Sequence, residues 1–568
     1  MPDLVIGGRR AGLFPRPWRA GGIAIAMIGV ALIVAWFIYR RSVAYDMPGG
    51  DVRGEISSVQ AAPGAPPVLA FAGSSLAWAG GVPVLRISGD AHAIGAAHGR
   101  LLAPFLAQVV TAAGPSIEAT VEDGGLFGGW THHMRLAWRW RFIDDGLAES
   151  DRRMIAGLTR GAAASGVSLS FDDLLRDQAV LDIGAPSPRS DAADHHGLAH
   201  SLTVIAQQTA APARLWIGRI FELPGYDDGG DAEMPVVEIV HPTGGIAYAA
   251  VGWPGQLGVV TGINAQQIGV FVNPVRTADV RLTRTARPVA QLARNVLETA
   301  KTLEDAVKLV ESTPTLGSAV IALVDGSSGK WVLVERTPSK AIIEKNPKTP
   351  VLGDILTTNA LAADPENDRA RRMLPTTARL ERAARLVKAP LSDVGAMAAV
   401  LRDQRGVDDG ARPPGHRGAI DDGRAIQMVI LDPVSLELWV ADPHAAGRMR
   451  AFDLGHELRG TGDRAAPPAD IAADPTTDPD RTANLGAARG LLREARGYLH
   501  AGEREHAAEL CARALTRAPG FPEAIELDAI IAQERGDDRR ARMMFQTWLD
   551  AGPDDPHGEA RARALLAR

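Results

Sequence analysis

The feature that most constrains this chain is a run of 20 residues without a charged side chain near its N-terminus, at positions 20–39. A helix rises about 1.5 Å per residue, so this run extends about 30 Å, the thickness of a bilayer's hydrocarbon core. A cleaved signal peptide is the alternative interpretation. However, the run is long for a signal peptide, and Arg40 and Arg41 separate it from the small-residue motif at 42–44. We therefore expect residues 20–39 to form an uncleaved transmembrane helix.

The basic residues around this run predict its orientation. Four arginines lie in the segment 1–19, whereas only Arg40 and Arg41 follow the run before the acidic Asp46 and Asp51. Because positive charge favours the cytoplasmic side, we expect a cytoplasmic N-terminus and an exported, periplasmic or extracellular, body. The chain has one cysteine, Cys511, which excludes an intrachain disulfide and a multi-cysteine zinc site.

The overall charge excludes one class of partner. The 568 residues include 61 Lys and Arg against 67 Asp and Glu, a net charge of −6. Binding nucleic acid by bulk charge needs a basic face, so we expect no nucleic-acid partner. Hydrophobic residues make up 46% of the chain, which is typical of a globular protein, and its length predicts at least two folded units.

Composition divides the rest of the chain into four parts. Residues 40–81 are rich in Ala, Pro and Gly and are predicted to be a linker, and Pro, Asp and Thr mark a second linker at 458–484. Between them, residues 82–457 combine blocks of helical periodicity with many short, β-branched runs. That mixture favours an α+β layered domain over a doubly wound sheet.

The tail, residues 485–568, contains an internal repeat. Five residue pairs recur at a spacing of 34: Gly502 and Gly536, Ala507 and Ala541, Cys511 and Phe545, Ala514 and Trp548, and Pro519 and Pro553. This spacing resembles the tetratricopeptide repeat, a pair of closely packed helices. Two readings stay open for so short an array: the helices cap or dock on the body, or they bind a protein or peptide partner.

The body resembles one enzyme family over roughly residues 82–455. The resemblance rests on the order of short segments: residues 85–89 (LRISG), 93–102, 218–225 (GRIFELPG), 252–255 (GWPG), 262–264 (GIN), 269–270, 322–325, 334–336, 358–359, 431–433 and 438–441. Together they are similar to the penicillin acyltransferase-like (acyl-CoA:6-aminopenicillanic acid acyltransferase) N-terminal-nucleophile hydrolases.

This resemblance implies a four-layer αββα sandwich that acts on the amide bonds of small acylated amines without a cofactor. In such enzymes the precursor cuts itself before a nucleophile, usually a cysteine, and the freed α-amine becomes the base. An α-amine with a pKa of about 8 can accept a proton at neutral pH. The family therefore needs no metal or cofactor for its chemistry.

The resemblance places the nucleophile near residues 199–201, where this chain has Ala, His and Ser but no cysteine. One interpretation makes Ser201 the nucleophile after cleavage of the His200–Ser201 bond, activated by its own amine. The alternative is a catalytically dead site whose fold is retained for binding.

Four further residues are expected to support such a site. Arg219 and Glu222 match the Arg and Asp that flank the family's nucleophile, with Glu one methylene longer. Asn264 and Asn359 could donate an amide hydrogen to an oxyanion, or they could be turn residues.

A cluster of histidines and aspartates near the expected nucleophile raises a competing interpretation. Its members fall within ten residues: Asp191, Asp194, His195, His196 and His200. They are ligand types that zinc accepts, but the surrounding prolines and glycine indicate a solvated loop. We therefore predict no metal site.

Overall fold

The computed structural model describes most of the chain. The described residues are 16–60, 66–108, 134, 137–138, 140–183, 200–208, 214–222, 234–275, 286–345, 351–353, 376–388, 390–445, 447–460, 468–475, 478, 480–552 and 556–567. At 16–25, 183, 200, 207–208, 352–353, 376 and 556–557 the description is limited to the backbone.

Short β-branched runs form the strands of two sheets. In chain order the strands are β1 (Ser57–Val59), β2 (Val68–Phe71), β3 (Ser74–Ala79), β4 (Val82–Gly89), β5 (His200–Gln208), β6 (Arg214–Glu222), β7 (Val236–Pro242), β8 (Tyr248–Gly252), β9 (Thr261–Asn264), β10 (Ile268–Val275), β11 (Ser318–Asp325), β12 (Lys330–Arg336), β13 (Ala341–Glu344), β14 (Val351–Gly353), β15 (Ala425–Asp432), β16 (Glu437–Ala441) and β17 (Met449–Asp453). Among the described strands, one sheet has the order β1-β2-β3-β4-β7-β8-β9-β10-β11-β12-β13 and the other β14-β5-β6-β15-β16-β17. Neighbouring strands are antiparallel, apart from the parallel pair β4 and β7.

The helices lie outside these sheets and at the two ends of the chain. They are α1 (Arg16–Val43), α2 (Ala91–Leu101), α3 (Glu149–Ala164), α4 (Phe171–Asp177), α5 (Val180–Ile183), α6 (Val289–Thr299), α7 (Leu303–Ser312), α8 (Thr376–Leu386), α9 (Val394–Leu401), α10 (Leu454–Arg459), α11 (Arg481–His500), α12 (Arg504–Arg517), α13 (Pro522–Glu534), α14 (Asp538–Asp550) and α15 (Pro556–Leu566). A single 3₁₀ turn, Ile143–Gly146, precedes α3 among the described residues.

Three apolar clusters hold the body together in four layers. One contains Leu158 of α3 and Val270 of β10, and lies between the larger sheet and its helices. The second contains Phe271 of β10 and Ile217 of β6, and lies between the sheets. The third joins the outer face of the smaller sheet to α8 and α9, where Met397 is buried. Because strand side chains alternate, adjacent residues such as Val270 and Phe271 serve different clusters. The predicted four-layer αββα sandwich is therefore confirmed.

The segment predicted to be a linker, residues 40–81, differs from that expectation. It contains β1, β2 and β3, which extend the larger sheet, and its Tyr45 is buried in the helix-side cluster. Ala72 and Gly73 form the tight β2–β3 turn with φ of 47° and 81°. Positive φ at both central residues matches the twist of a two-residue hairpin. The Ala- and Pro-rich composition comes mainly from residues 61–67, and it concealed the apolar alternation that follows.

The second predicted linker, residues 458–484, is also partly structured. Ile471 pairs with Met449 in an isolated bridge beside β17. The first tail helix, α11, begins at Arg481, four residues before the expected boundary at 485. This described part of the connection is therefore attached to the body.

The tail helices pack in sequence and lie against the body. The paired repeat positions Ala507 and Ala541 are both fully buried, which agrees with their expected role as close-packing residues. Glu523 of α13 forms buried ion pairs with Arg417 and Arg424 of the body at 2.6 and 3.0 Å. The tail is thus docked on the body, as one of the two interpretations requires, while the tetratricopeptide assignment stays a prediction.

Among the described helices, α1 alone is long and apolar enough to cross a membrane. Its most apolar window, Ala26–Val43, has a mean hydropathy of 1.5, and 6% of it is buried in the protein. The side chains of Met27, Leu32 and Phe37 are each about two-thirds exposed, at 66, 66 and 69%. By length and composition this helix is a candidate span.

The helices α2 and α3 approach so closely that their contact depends on glycine. Gly95 and Gly99 of α2 lie directly against the backbone of α3, and Gly157 and Gly161 of α3 lie directly against the backbone of α2. A Cβ added at Gly99 would lie 2.3 Å from the backbone oxygen of Leu158, far inside van der Waals contact. The glycines at 95 and 99, within the motif 93–102, therefore allow the two outer helices to pack in close contact.

We predict that Gly99→Ala lowers the melting temperature of the detergent-solubilised chain. The added methyl group meets backbone on the facing helix, and overpacking of this kind costs about 1–3 kcal/mol. Gly490→Ala is the matched control, since its Cβ would meet nothing within 4 Å. This control should leave stability unchanged or raise it by up to about 1 kcal/mol. Equal melting temperatures for the two variants would contradict the close-packing account.

Candidate functional site

The hairpin of β5 and β6 positions the residues on which the predicted site depends. Its register pairs Thr203 with Arg219, Ser201 with Phe221 and His200 with Glu222. Successive side chains of a strand point to opposite faces. Thr203 contacts Asn273 of the larger sheet, so Ser201, two residues earlier, also belongs to the face between the sheets.

Arg219 lies at the centre of a polar cluster between the sheets and is fully buried. Its Nη1 donates to Thr203 Oγ1 at 2.7 Å and to Asn273 Oδ1 at 2.9 Å. Its Nη2 donates to the backbone oxygen of Val272. The guanidinium carbon also lies 5.2 Å from the centre of the Phe221 ring. One side chain of the smaller sheet thus bonds both a neighbouring strand and the opposite sheet.

This guanidinium has no negative partner within the described part of the chain. The contacts of Arg219 there are with neutral oxygens and a ring. Burial lowers its pKa to about 9, because the charged form has lost its hydration. A buried cation without a counter-charge favours any anion that enters its surroundings. The cluster is therefore suited to a negative group, such as a carboxylate or a developing oxyanion.

Ser201 provides the second distinctive feature of this face. Its side chain is 3% exposed, and its Oγ has no hydrogen-bond partner among the described residues. The Nε of Arg219 is likewise buried and unpartnered in that part of the structure. Since buried polar groups are normally hydrogen-bonded, both atoms retain the capacity to bond a further group. In contrast, the hydroxyl of Thr203 is already engaged by Arg219 and Asn273.

Glu222 lies on the other side of β6 from Arg219. Its Oε1 accepts from Arg379 Nη2 at 2.5 Å, and that Nη2 also donates to the backbone oxygen of Ile420 at 3.1 Å. Through Arg379, Glu222 is thus joined to α8 and to the loop between α9 and β15 on the outer face of the smaller sheet. Arg219 and Glu222 were both expected to flank the nucleophile, but they face different layers. His200 is paired with Glu222 in the register of β5 and β6. The structure describes the backbone of His200 but not its side chain.

Asn264 holds a turn rather than facing the cluster. Its Nδ2 donates to the backbone oxygens of Leu297 and Ala300 at 3.0 and 2.8 Å. Its Oδ1 accepts from the backbone nitrogens of Gln266 and Ile268, both at 3.0 Å. Both amide hydrogens are committed to the end of α6, which agrees with the turn-residue alternative.

Two other expected features lie outside the described residues. These are Asn359, the other candidate for an oxyanion donor, and the cluster at 191–199. Among described residues there is no group of three or more His, Cys, Asp or Glu side chains placed to hold a metal. The predicted absence of a metal site therefore stays a prediction.

Sequence reasoning missed Thr203 and Asn273, which complete the Arg219 cluster. Thr203 is two residues after Ser201 on the same strand, so period-2 alternation alone would have included it. Asn273 is a polar residue inside the buried strand β10, and a polar side chain in such a run signals a buried hydrogen bond. Nearby, Thr261 Oγ1 donates to Gln427 Oε1 at 3.0 Å, which continues the polar region between the sheets.

Part of this chain matches a known protein family. Residues 232–412 match the model of the family described as acyl-coenzyme A:6-aminopenicillanic acid acyl-transferase, which confirms the resemblance. The match begins after β6, so the hairpin bearing Ser201 and Arg219 precedes it.

Two solved structures are among those similar to this chain. One is the Caenorhabditis elegans N-acylethanolamine-hydrolyzing acid amidase ortholog, with 17% identity over 41% of this chain and 93% of that one, at a TM-score of 0.30. The other is a variant of the conjugated bile acid hydrolase from Clostridium perfringens, with 11% identity over 45% of this chain and 92% of that one, at a TM-score of 0.29. No match was found among curated proteins.

Proposed function

We propose that this chain, an acyltransferase- and amidohydrolase-like protein by its family match at residues 232–412, is an active, membrane-anchored amide hydrolase or acyl transferase with Ser201 as its nucleophile. One observation carries the proposal: a buried hydroxyl without a partner among the described residues shares the inter-sheet face of an uncompensated arginine. The substrate class is a small acylated amine, as the resemblance implies. No cofactor is required.

Activation begins with the chain's own backbone. The Ser201 hydroxyl attacks the carbonyl carbon of His200 and its proton passes to the Ser201 nitrogen, so that the acyl group moves from nitrogen to oxygen. One water then hydrolyses this ester and leaves Ser201 with a free hydroxyl and a free α-amine. That amine, with a pKa of about 8, accepts the hydroxyl proton as Oγ attacks the substrate's amide carbon. The proton then passes to the departing amine. Water attacks the resulting ester to release the acid, or a second amine attacks it to complete acyl transfer.

Arg219 supplies the electrostatic part of this mechanism. Attack by Ser201 places negative charge on the carbonyl oxygen of the substrate, and the unpartnered Nε–H of Arg219 is a donor for that charge. Because the guanidinium is buried and already fixed by Thr203 and Asn273, little reorganisation is needed when charge develops. Loss of one such donor typically lowers a rate about 10²–10³-fold.

A non-catalytic binding protein is the alternative, and one contact favours it. Glu222, expected to hold the freed amine, is instead paired with Arg379 on the outer face. In that case the polar face would bind an anionic acyl compound without cleaving it, and the tail would bind a protein or peptide partner. Self-cleavage distinguishes the two functions, because only the enzyme needs a new N-terminus.

The location completes the proposal. The apolar window of α1 supports a single-pass anchor, and the arginines of segment 1–19 support an exported body. On this account the catalytic domain acts outside the cytoplasm, close to the membrane surface.

We predict that the purified full-length chain is cut before Ser201. Intact-mass measurement should find two fragments for the unchanged protein and one uncut chain for Ser201→Ala, since the substitution removes the hydroxyl that attacks. Ser58→Ala, at an exposed strand residue, is the matched control and should still be cut. If the protein without substitution shows only its full-length mass, the self-processing mechanism is wrong and the binding alternative is favoured.

We further predict that Arg219→Met abolishes self-cleavage at a modest cost in stability. The substitution leaves no carboxylate unpaired within the described residues. Arg294→Met is the contrasting variant, because Arg294 is equally buried but ion-paired with Asp151 and Glu298. Asp151 keeps its ion pair with Arg287 in this variant, but Glu298 loses its pair with Arg294, and removing one partner of a buried pair costs up to about 3–5 kcal/mol.

Two quantities are measured for each variant: the temperature of thermal unfolding in detergent and the fraction of the chain that is cut. Arg219→Met should unfold at a clearly higher temperature than Arg294→Met and remain uncut. If Arg219→Met is cut normally, Arg219 has no part in the chemistry.

A further inference from the structure

The end of α1 is fixed to the body by contacts on both sides of its last turn. Tyr39 donates its hydroxyl hydrogen to the backbone oxygen of Met134 at 2.7 Å. Tyr45 does the same to the backbone oxygen of Trp140 at 2.6 Å, and its ring is buried in the body. The end of the helix is therefore joined directly to the body. The depth of α1 in a bilayer would set the height of the neighbouring body residues.

Aromatic side chains of the helix and the body meet at this junction. The rings of Trp36 and Tyr39 stack at 5.7 Å, and those of Tyr39 and Trp138 stack at 6.3 Å. Trp138 is 47% exposed and Phe142 is 38% exposed. Tyr39 ends the charge-free run, which is the level of the membrane–water interface, and Trp and Tyr rings prefer that level. Stacking on Tyr39 places Trp138 at the same level.

Two arginines lie against these rings, one from α1 and one from the body. The guanidinium carbon of Arg141 lies 4.0 Å from the ring centre of Trp138 and 4.3 Å from that of Phe142. Arg40 lies 5.8 Å from the ring centre of Trp36. Arginines beside interfacial aromatic rings are placed to bind phosphate oxygens of lipid headgroups.

We propose that Trp138, Arg141 and Phe142, continuous with Trp36 and Tyr39 of α1, form a second membrane contact that binds anionic phospholipid headgroups. This inference rests on the membrane anchor included in the proposed function. We name these five residues the aromatic collar. It would hold the body flat on the bilayer, so that amphiphilic acyl amides reach the body from the membrane surface rather than from bulk water.

Site-specific quenching in the full-length chain tests the collar. Single cysteines replace Phe142 in the collar, Leu32 in α1 and Met543 in the tail, and each receives a polarity-sensitive fluorophore. The native Cys511 is fully buried, and the unsubstituted chain gives its labelling background. The protein is reconstituted into vesicles of phosphatidylcholine with phosphatidylglycerol. The vesicles contain a lipid that carries a nitroxide either on its headgroup or at the middle of its acyl chain (mid-chain).

We expect headgroup nitroxide to quench the Phe142 probe, mid-chain nitroxide to quench the Leu32 probe, and neither to quench the Met543 probe. Omitting phosphatidylglycerol should reduce quenching at Phe142 by about twofold or more, and Arg141→Gln should remove that dependence.

Three results would overturn the collar, and they are distinguishable. A Phe142 probe that behaves like the Met543 probe, with Leu32 quenched, removes the collar and leaves the anchor. An unquenched Leu32 probe removes the anchor itself. A Phe142 signal that follows the protein-to-lipid ratio instead of the quencher identifies a second copy of the chain as the occupant.

Discussion

The buried guanidinium of Arg219 is the interaction on which the centre of this protein depends. It lies on β6, bonds Thr203 of the adjacent strand, and crosses the inter-sheet space to Asn273 and Val272 of β10. Apolar side chains fill most of that space, so the charged group has lost its hydration there, and its hydrogen bonds compensate for part of that loss. Arg219 has no carboxylate partner among the described residues. Its charge would therefore stabilise an anion that binds beside it.

The outer parts of the molecule connect to this centre through ordinary contacts. Glu222, at the end of the strand that carries Arg219, is tied by Arg379 to the backbone of Ile420. The same loop carries Arg417 and Arg424, which pair with Glu523 of the tail. The tail therefore supports the layer that covers the smaller sheet. At the opposite end of the chain, α1 is joined to the helix side of the larger sheet through Tyr45.

Much of the architecture could be predicted from the sequence, and the errors have specific physical causes. The α+β class followed from the pattern of short runs, and the four layers were implied by the family resemblance. The strands within 57–79 were hidden by the Ala- and Pro-rich stretch beside them. Arg219 and Glu222 were expected to act together, yet residues three apart on a strand point to opposite faces. Applying that alternation would have separated them and joined Thr203 to Ser201. The contact with Asn273 depends on how two sheets meet, which no local pattern encodes.

The central claim is that Ser201 attacks an acyl group beside Arg219. Peptide mapping by mass spectrometry after brief reaction with an activated acyl ester tests it most directly, because an acyl-enzyme is a covalent record of the nucleophile. The account predicts one acyl group on the Ser201 hydroxyl, absent from Ser201→Ala. An acyl group on Thr203, or none on any hydroxyl of β5, would contradict it.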